Sequence, residues 1–288
     1  MAVVLTWNVQ GRVRGIVAQA TALAGRRCDV VALQEVRATA LAGWEAALAH
    51  LGYPHVAGTL PPDGAPRGPE RRLGVVIASR TPIETLPAAE VPWPERYLVA
   101  RTGLDGEVVE VHNVHAPISQ KADMVKVRTL EAVHAALATG SDVPRVLVGD
   151  LNTPRYESRE GEVQSFARTR AGRIRPSHGE RHDRAELLLV TGLGEHGYID
   201  AFRDLHGYAR RDRSWLYPHR ETGYRLDHII VRGLAVAACE YEHAWRDAGL
   251  SDHAAMWADL RVPAARSWPI ARASACARSA RSSRSGVG

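Results

Sequence analysis

The chain has 288 residues, 45% of them hydrophobic and 24% charged, the composition of a globular protein able to bury a core without disulfides or a structural metal. Its 37 basic against 32 acidic side chains give a net charge of +5, but residues 264–288 hold five arginines (Arg266, Arg272, Arg278, Arg281 and Arg284) and no acid, so the remainder is balanced. Three widely spaced cysteines, Cys28, Cys239 and Cys276, exclude a Cys-x-x-Cys metal site and speak against a disulfide framework, and no apolar run approaches the ~18 residues of a membrane span. With no cationic leader at the N-terminus, a cytoplasmic setting is expected.

Val3–Trp7 and Asp29–Leu33 read as buried strands, with a helix over Val13–Ala24 between them that stops at Gly25. A second helix over Thr39–Leu51 ends at Gly52, and Gly74–Ala78 is another buried strand. Proline and glycine crowd residues 60–72, which makes them loop. Tyr97–Thr102 and Val108–Val114 flank Leu104-Asp105-Gly106, whose last two residues tolerate positive φ; the resulting hairpin delivers His112, Asn113 and His115 to a strand end. Ser119–Thr139 has the pattern of an amphipathic helix capped by Ser119, and Arg145–Val148 is a short apolar strand running into Gly149-Asp150-Leu151-Asn152.

Residues 155–184 are polar, arginine-rich and without periodicity, so a long, partly mobile excursion is expected, able to contact a phosphate backbone or simply solvated. A helix around Ala185–Leu193 precedes strands at Ser214–Tyr217, Tyr224–Arg232, Ala235–Tyr241 and His253–Val262. Consecutive strands pair antiparallel, so the sheet should be mixed. From Pro263 onward the Ala/Ser/Arg-rich sequence lacks an apolar face. One folded domain, residues 1–262, followed by a disordered basic tail, 263–288, is the expected organisation. The seven tryptophans are core residues or base-stacking platforms.

Each apolar strand hands over to acids, amides or imidazoles at its end, where open α/β sheets place ligands. Six such segments stand out: Trp7-Asn8-Val9-Gln10, Leu33-Gln34-Glu35, Asn113-Val114-His115, Gly149-Asp150-Leu151-Asn152, Arg225-Leu226-Asp227-His228 and Ser251-Asp252-His253. Carboxylates and amides without thiolates suit Mg²⁺ or Mn²⁺, with Glu35 as the leading ligand. Zinc would need a histidine constellation such as His-Glu-x-x-His, and a serine nucleophile would need an elbow around Ser251; the sequence has neither. Asp150 and Asn152, on alternate positions, could hold one water that Asp150 deprotonates. Asp227 could orient the imidazole of His253 toward a phosphoryl oxygen.

These segments, in this order, make the chain resemble the endonuclease/exonuclease/phosphatase superfamily of metal-dependent phosphoesterases. Trp7-Asn8-Val9-Gln10-Gly11, Leu33-Gln34-Glu35, Gly149-Asp150-Leu151-Asn152, Leu226-Asp227-His228-Ile229 and Ser251-Asp252-His253 are similar to its signature motifs across residues 2–262. The resemblance implies an α/β four-layer sandwich of two packed mixed sheets flanked by helices. It also implies that Glu35 binds the metal with Asn8, Gln10 and Asp252 nearby, that Asp150 activates water oriented by Asn152, and that His253 paired with Asp227 stabilises the transition state. Asn8, Asn152 and His115 would contact substrate.

Gly197–Gly207 and Ser214-Trp215 ahead of Tyr224-Arg225-Leu226-Asp227 resemble exonuclease III-like enzymes, whereas His115-Ala116-Pro117-Ile118 is closer to the deoxyribonuclease, sphingomyelinase and phosphatase branches. The expectation is therefore a monomeric phosphodiesterase acting on nucleic acid. The alternatives are a phosphomonoesterase, a lipid-headgroup phosphodiesterase, or a phosphate-binding module without turnover.

Overall fold

Apolar alternation sets the layers. Along Ala2–Asn8 (β1), Val4 and Leu5 face opposite ways, and along Val30–Arg37 (β2), Val30 and Ala32 alternate with Val31 and Leu33, because successive side chains of a strand leave on opposite faces. Strands apolar on both faces must be covered on both. The computed structural model, which describes residues 2–60, 73–118 and 124–263, meets that demand with two sheets packed on each other and helices on their outer faces.

After β1 come α1 (Ile16–Ala24), β2, α2 (Leu41–His50), β3 (His55–Gly58), β4 (Leu73–Ser79), β5 (Glu84–Leu86), β6 (Tyr97–Leu104) and β7 (Glu107–His115). Then follow α3 (Val125–Ala138), β8 (Arg145–Asp150), β9 (Tyr156–Glu157), β10 (Val163–Gln164), α4 (Gly179–Leu187), β11 (Ile199–Asp200) and α5 (Ala201–His206). The last elements are β12 (Trp215–Leu216), β13 (Gly223–Tyr224), β14 (Asp227–Arg232), β15 (Ala235–Glu242), α6 (His243–Asp247) and β16 (Ala255–Arg261).

One six-stranded sheet runs β15-β16-β1-β2-β4-β3 and the other β11-β14-β8-β7-β6-β5. The pairs β1–β2 and β7–β8 are parallel, and the crossovers that join them carry α1 and α3. Val4, Ile77, Val111, Val148 and Ile229 fill the seam between the sheets, Trp7, Trp44 and Leu48 the layer under α1 and α2, and Leu130, Val133 and Leu147 the layer under α3. The expected four-layer sandwich of mixed sheets is therefore present, and Trp7 and Trp44 belong to its core. Among the described residues no helix is long and apolar enough to cross a membrane.

Several boundaries differ from the sequence expectation for physical reasons. The half-exposed edge strands β3 and β5 have too few apolar residues to announce themselves. The helix expected from Ser119 begins at Val125, after Met124 in a left-handed conformation (φ 57°), while Ser119 lies outside the described residues. The same holds for most of the 60–72 loop and for the tail from residue 264. Consecutive strands β14 and β15 lie in different sheets rather than pairing.

The largest correction is the 155–184 segment, which is built from β9, β10, a bridge between Arg168 and Ile174, and α4, with α4 starting at Gly179 rather than near Ala185. Charge, not apolar periodicity, holds this part of the chain. Buried Glu157 on β9 accepts from Arg203 of α5 (2.7 Å) and from Arg225 (2.8 Å), and Arg225 also bonds Asp200, 2.8 Å away. Asp200 in turn caps α5 through the backbone N–H groups of Phe202 and Arg203. Burial alone would raise the carboxyl of Glu157, but the two guanidiniums outweigh it and hold the group down to about 2.

Removing a shared cation from such a network strands buried carboxylates. Arg225→Met should cost about 3–5 kcal/mol in urea unfolding at neutral pH. The sign with pH follows from the depressed carboxyl. The network's contribution is complete above the ordinary glutamate value of 4.5 and is lost as pH falls toward about 2, so the gap between wild type and variant should narrow over that range. A cost below about 1 kcal/mol at pH 7 would show the network to be energetically neutral.

Candidate active site

Both parallel pairs end at the same edge of the sandwich. Register places Asn8 of β1 beside Gln34 of β2, His115 of β7 beside Asp150 of β8, and Asp150 opposite Asp227 of β14. A register shift between Leu33 and Val36, with Glu35 at φ 58°, forms a bulge that re-aims the glutamate. Gly149 precedes Asp150 with φ 134°, and a Cβ there would fall 1.9 Å from the carbonyl oxygen of Val114, so only glycine lets β8 approach β7 at this point.

The side chains then meet. Asn8 Nδ2 donates to Asp150 Oδ2 at 2.9 Å and to Glu35 Oε1 at 3.2 Å. His115 Nε2 lies 3.5 Å from Glu35 Oε1 and 3.9 Å from Asp150 Oδ2, while Arg96 Nη1 lies 3.1 Å and 3.2 Å from the two ring nitrogens of His115. His253 donates from Nδ1 to Asp227 Oδ2 at 2.7 Å and presents Nε2 3.7 Å from Asp150 Oδ2. The backbone of His253 is fixed by Trp7 Nε1, which donates to its carbonyl at 3.1 Å, and by Ser251 Oγ, which accepts from its N–H at 3.2 Å and donates to Asn8 O at 2.6 Å.

Electrostatics separate the two histidines. Burial, the Arg96 guanidinium and His253 drive His115 well below its ordinary range, so it is a neutral imidazole. Burial would lower His253 too, but the carboxylates of Asp227 and Asp150 outweigh it and lift the imidazolium to about 10. Burial raises Asp150, with Asp227 adding to the effect and His253 opposing it; burial likewise raises Glu35, against the amide of Asn8.

Asn8, Glu35, His115, Asp150, Asp227 and His253 thus converge, as the sequence motifs suggest. Asn152, in a left-handed conformation (φ 51°), donates its backbone N–H to Asp150 Oδ1 at 2.9 Å and its Nδ2 to Ala116 O at 2.8 Å. Asp252 Oδ2 accepts from Trp215 Nε1 at 3.2 Å. Gln10 is less engaged: its Oε1 accepts from exposed Arg12 at 2.8 Å, and its link to the centre is the bond from its N–H to Asn8 Oδ1, at 2.9 Å.

Three residues of the site are unforeseen. Arg96 sits in a Pro-Glu-Arg turn that carries no motif. Ser214 Oγ accepts from the N–H groups of Leu226 and Asp227. Lys126 Nζ donates to Asn152 O at 2.7 Å and to Glu186 at 2.6 Å, and its position among Val125, Val127 and Leu130 on a buried helix face was the available signal.

Four carboxylates, Glu35, Asp150, Asp227 and Asp252, with amide neighbours and no thiolate form a hard donor set suited to a divalent cation. Buried Asp227 Oδ1 has no partner among the described residues. Ligand atoms of Asp150, Asp227 and His253 lie within 4.8 Å of one another, but a protonated His253 bonded to Asp227 donates hydrogen bonds and does not ligate. The fit to a cation therefore rests on the carboxylates.

Fold and site define the class: a phosphoesterase built on a four-layer α/β sandwich. The chain belongs to the Endonuclease/Exonuclease/phosphatase family, whose profile matches residues 5–253. Among solved structures it is similar to an AP endonuclease from Archaeoglobus fulgidus, at 22% identity and a TM-score of 0.67 over 91% of this chain and 100% of that one. It is also similar to D. rerio TDP2 complexed with single-strand DNA product (16%, TM-score 0.64, 91% and 99%). The 3′ phosphatase NExo from Neisseria, bound to a product DNA hairpin, matches at 21%, with a TM-score of 0.60 over 90% and 99%. No curated protein matches the chain significantly.

The charge on His253 depends on Asp227. In metal-free protein, Asp227→Asn should lower the titration of the His253 imidazole from about 10 by more than about one unit, read by NMR of its ring signals. An unmoved titration would show that Asp150 alone sustains the charge.

Proposed function

We propose that the chain hydrolyses phosphodiesters of nucleic acid by in-line attack of water, with Mg²⁺ or Mn²⁺ as cofactor and residues 1–262 as the catalytic domain. The observation that carries this reading is the charged His253–Asp227 pair facing buried Asp150 across 3.7 Å. A proton acceptor and a fixed positive charge on opposite sides of a small gap are what displacement at phosphorus requires. The DNA products named with the structural neighbours support the substrate class.

Asp150, lifted by burial, accepts a proton from the attacking water, and Asn152 positions that water beside it. The water oxygen bonds phosphorus, the bond to the leaving alcohol oxygen breaks, and that oxygen takes a proton from solvent. His253 donates a hydrogen bond to the phosphoryl oxygen and neutralises charge that grows there, while Asp227 keeps the ring oriented and protonated. Neutral His115 and the amide of Asn8 contact the phosphate without adding charge of their own. Glu35, with Asp252 and Gln10, would hold the cation, which when bound supplies charge neutralisation at the phosphate.

Hydrolysis of bis-p-nitrophenyl phosphate, p-nitrophenyl phosphate, single- and double-stranded DNA and an abasic duplex, each with Mn²⁺, Mg²⁺ or EDTA, tests this reading. Metal-dependent cutting of DNA and the diester is expected; activity confined to the monoester would instead establish a phosphatase. Asp150→Asn should lower kcat by about 10²–10⁴ with oligonucleotide affinity largely kept. Glu35→Gln should raise the metal concentration needed for half activity by about tenfold or more, and an unshifted titration would remove it from the ligand set.

A further inference from the structure

Residues 163–179 contain four arginines, Arg168, Arg170, Arg173 and Arg175, and no acid. They fold as a small hairpin in which Arg168 and Ile174 form a β-bridge, Thr169 N donates to Arg173 O and Arg175 N to Ala167 O, both at 2.8 Å. Its base is fixed to α4 by two bonds from Arg168 to Asp183, of 2.9 Å and 2.6 Å, and closed by Arg168 Nη1 donating to Gly172 O at 2.7 Å. Arg155 and Arg175 both donate to the carbonyl of Arg168, at 2.6 Å and 3.2 Å.

Two guanidiniums, of Arg155 and Arg175, thus meet at the Arg168 carbonyl beside a third, of Arg168, that is paired with Asp183, while Arg170 and Arg173 stand exposed near the tip. Like charges held this close repel, and a polyanion laid across them offsets that repulsion. The hairpin also adjoins the site. Arg155 lies three residues beyond Asn152, and Phe166, at the hairpin's root, packs edge-on to Tyr224 (4.8 Å between centroids) under Lys126, which holds Asn152 O.

We propose that this hairpin is a backbone clamp, in which Arg155 and Arg175 at the base and Arg170 and Arg173 at the tip bind phosphates of a nucleic-acid strand beyond the scissile one. The inference rests on the nucleic-acid reading above and adds where the strand runs. It also assigns the arginine-rich insertion a fixed shape in place of a solvated loop.

The double variant Arg170→Ala, Arg173→Ala tests it, since both side chains are exposed and make none of the contacts that hold the hairpin. Anisotropy of a labelled DNA duplex, in EDTA and over a series of salt concentrations, should show binding weakened about tenfold at low salt, with the slope of log K against log salt smaller by about 2. The change in kcat/KM for bis-p-nitrophenyl phosphate should be a small fraction of that for DNA. A charge-matched control, Arg27→Ala with Arg261→Ala, removes two exposed arginines elsewhere.

Equal weakening by the control would overturn the clamp in favour of net charge. Equal loss on the small diester would overturn it in favour of damage to the site, and loss of binding to phosphatidylserine vesicles with duplex affinity intact would assign the hairpin to a membrane surface. Wild-type protein that cuts the diester but neither binds nor cuts nucleic acid would defeat the nucleic-acid reading and the clamp together. Wild-type protein that cuts DNA, with the double variant unaffected, would defeat the clamp alone.

Discussion

A hydrogen bond from Gln34 Nε2 to Asn113 Oδ1, 2.8 Å long, crosses the seam between the sheets, and the rest of the site depends on it. Apolar packing between two sheets is non-directional and fixes their spacing better than their register. The amide pair supplies direction. Gln34 also donates to Thr6 Oγ1 on the neighbouring strand, and Asn113 Nδ2 donates back to Leu33 O and Val76 O. Gln34 Oε1 has no partner among the described residues, so the clamp gains little net stability. Its consequence is registration. Glu35 and His115, each one or two residues from the clamp on opposite sheets, are brought to 3.5 Å.

Registration then makes the charge problem unavoidable. Glu35, Asp150, Asp227 and Asp252 gather at one sheet edge against the positive charges of His253 and Arg96, which leaves a local excess of negative charge in a mostly buried setting. Burial lifts both Glu35 and Asp150, and hydrogen bonds from Asn8 Nδ2 offset part of that excess. The remainder is the physical reason a divalent cation fits here. His115 stays neutral because it is fully buried and the Arg96 guanidinium lies beside it, and the two imidazoles therefore hold different charges although only Glu35 and Asp150 separate them.

How much of this is legible in the sequence depends on the range of the interaction. The strand-end residues stand out because apolar runs stop at them, and the turn at Asp105-Gly106 stands out because both residues take positive φ (53° and 82°). Gly149 reads as an ordinary glycine until the approach of Val114 O shows why no other residue fits. Gln34 and Asn113 are visible as polar residues, but their pairing is a contact between sheets that no local pattern encodes. Arg96 and Lys126 act through neighbours 19 and 26 residues away, respectively. The 155–184 segment is misread because it is held by ion pairs, which leave no periodicity, whereas a core-facing helix or strand does.

Strand β14 shows how one element can serve both halves of the chemistry. Its alternating side chains send Asp227 into the seam, where it orients His253, and His228 to the other face, where Nε2 donates to Thr153 O at 2.8 Å and Nδ1 lies 3.3 Å from Asp200. Thr153 follows Asn152 directly, so His228 anchors the turn that positions Asn152 and Asp150, while Asp200 joins that anchor to the buried Arg225 network. A slip of β14 by one residue would exchange the faces, removing the imidazole's partner and the turn's anchor in one step. The Arg225–Glu157–Arg203 ion pairs guard against that slip by tying the strand's start to β9 and α5, which is where the arginine hairpin's segment also begins. The Asp150 carboxyl, the charged imidazole and the basic insertion are therefore set by one register.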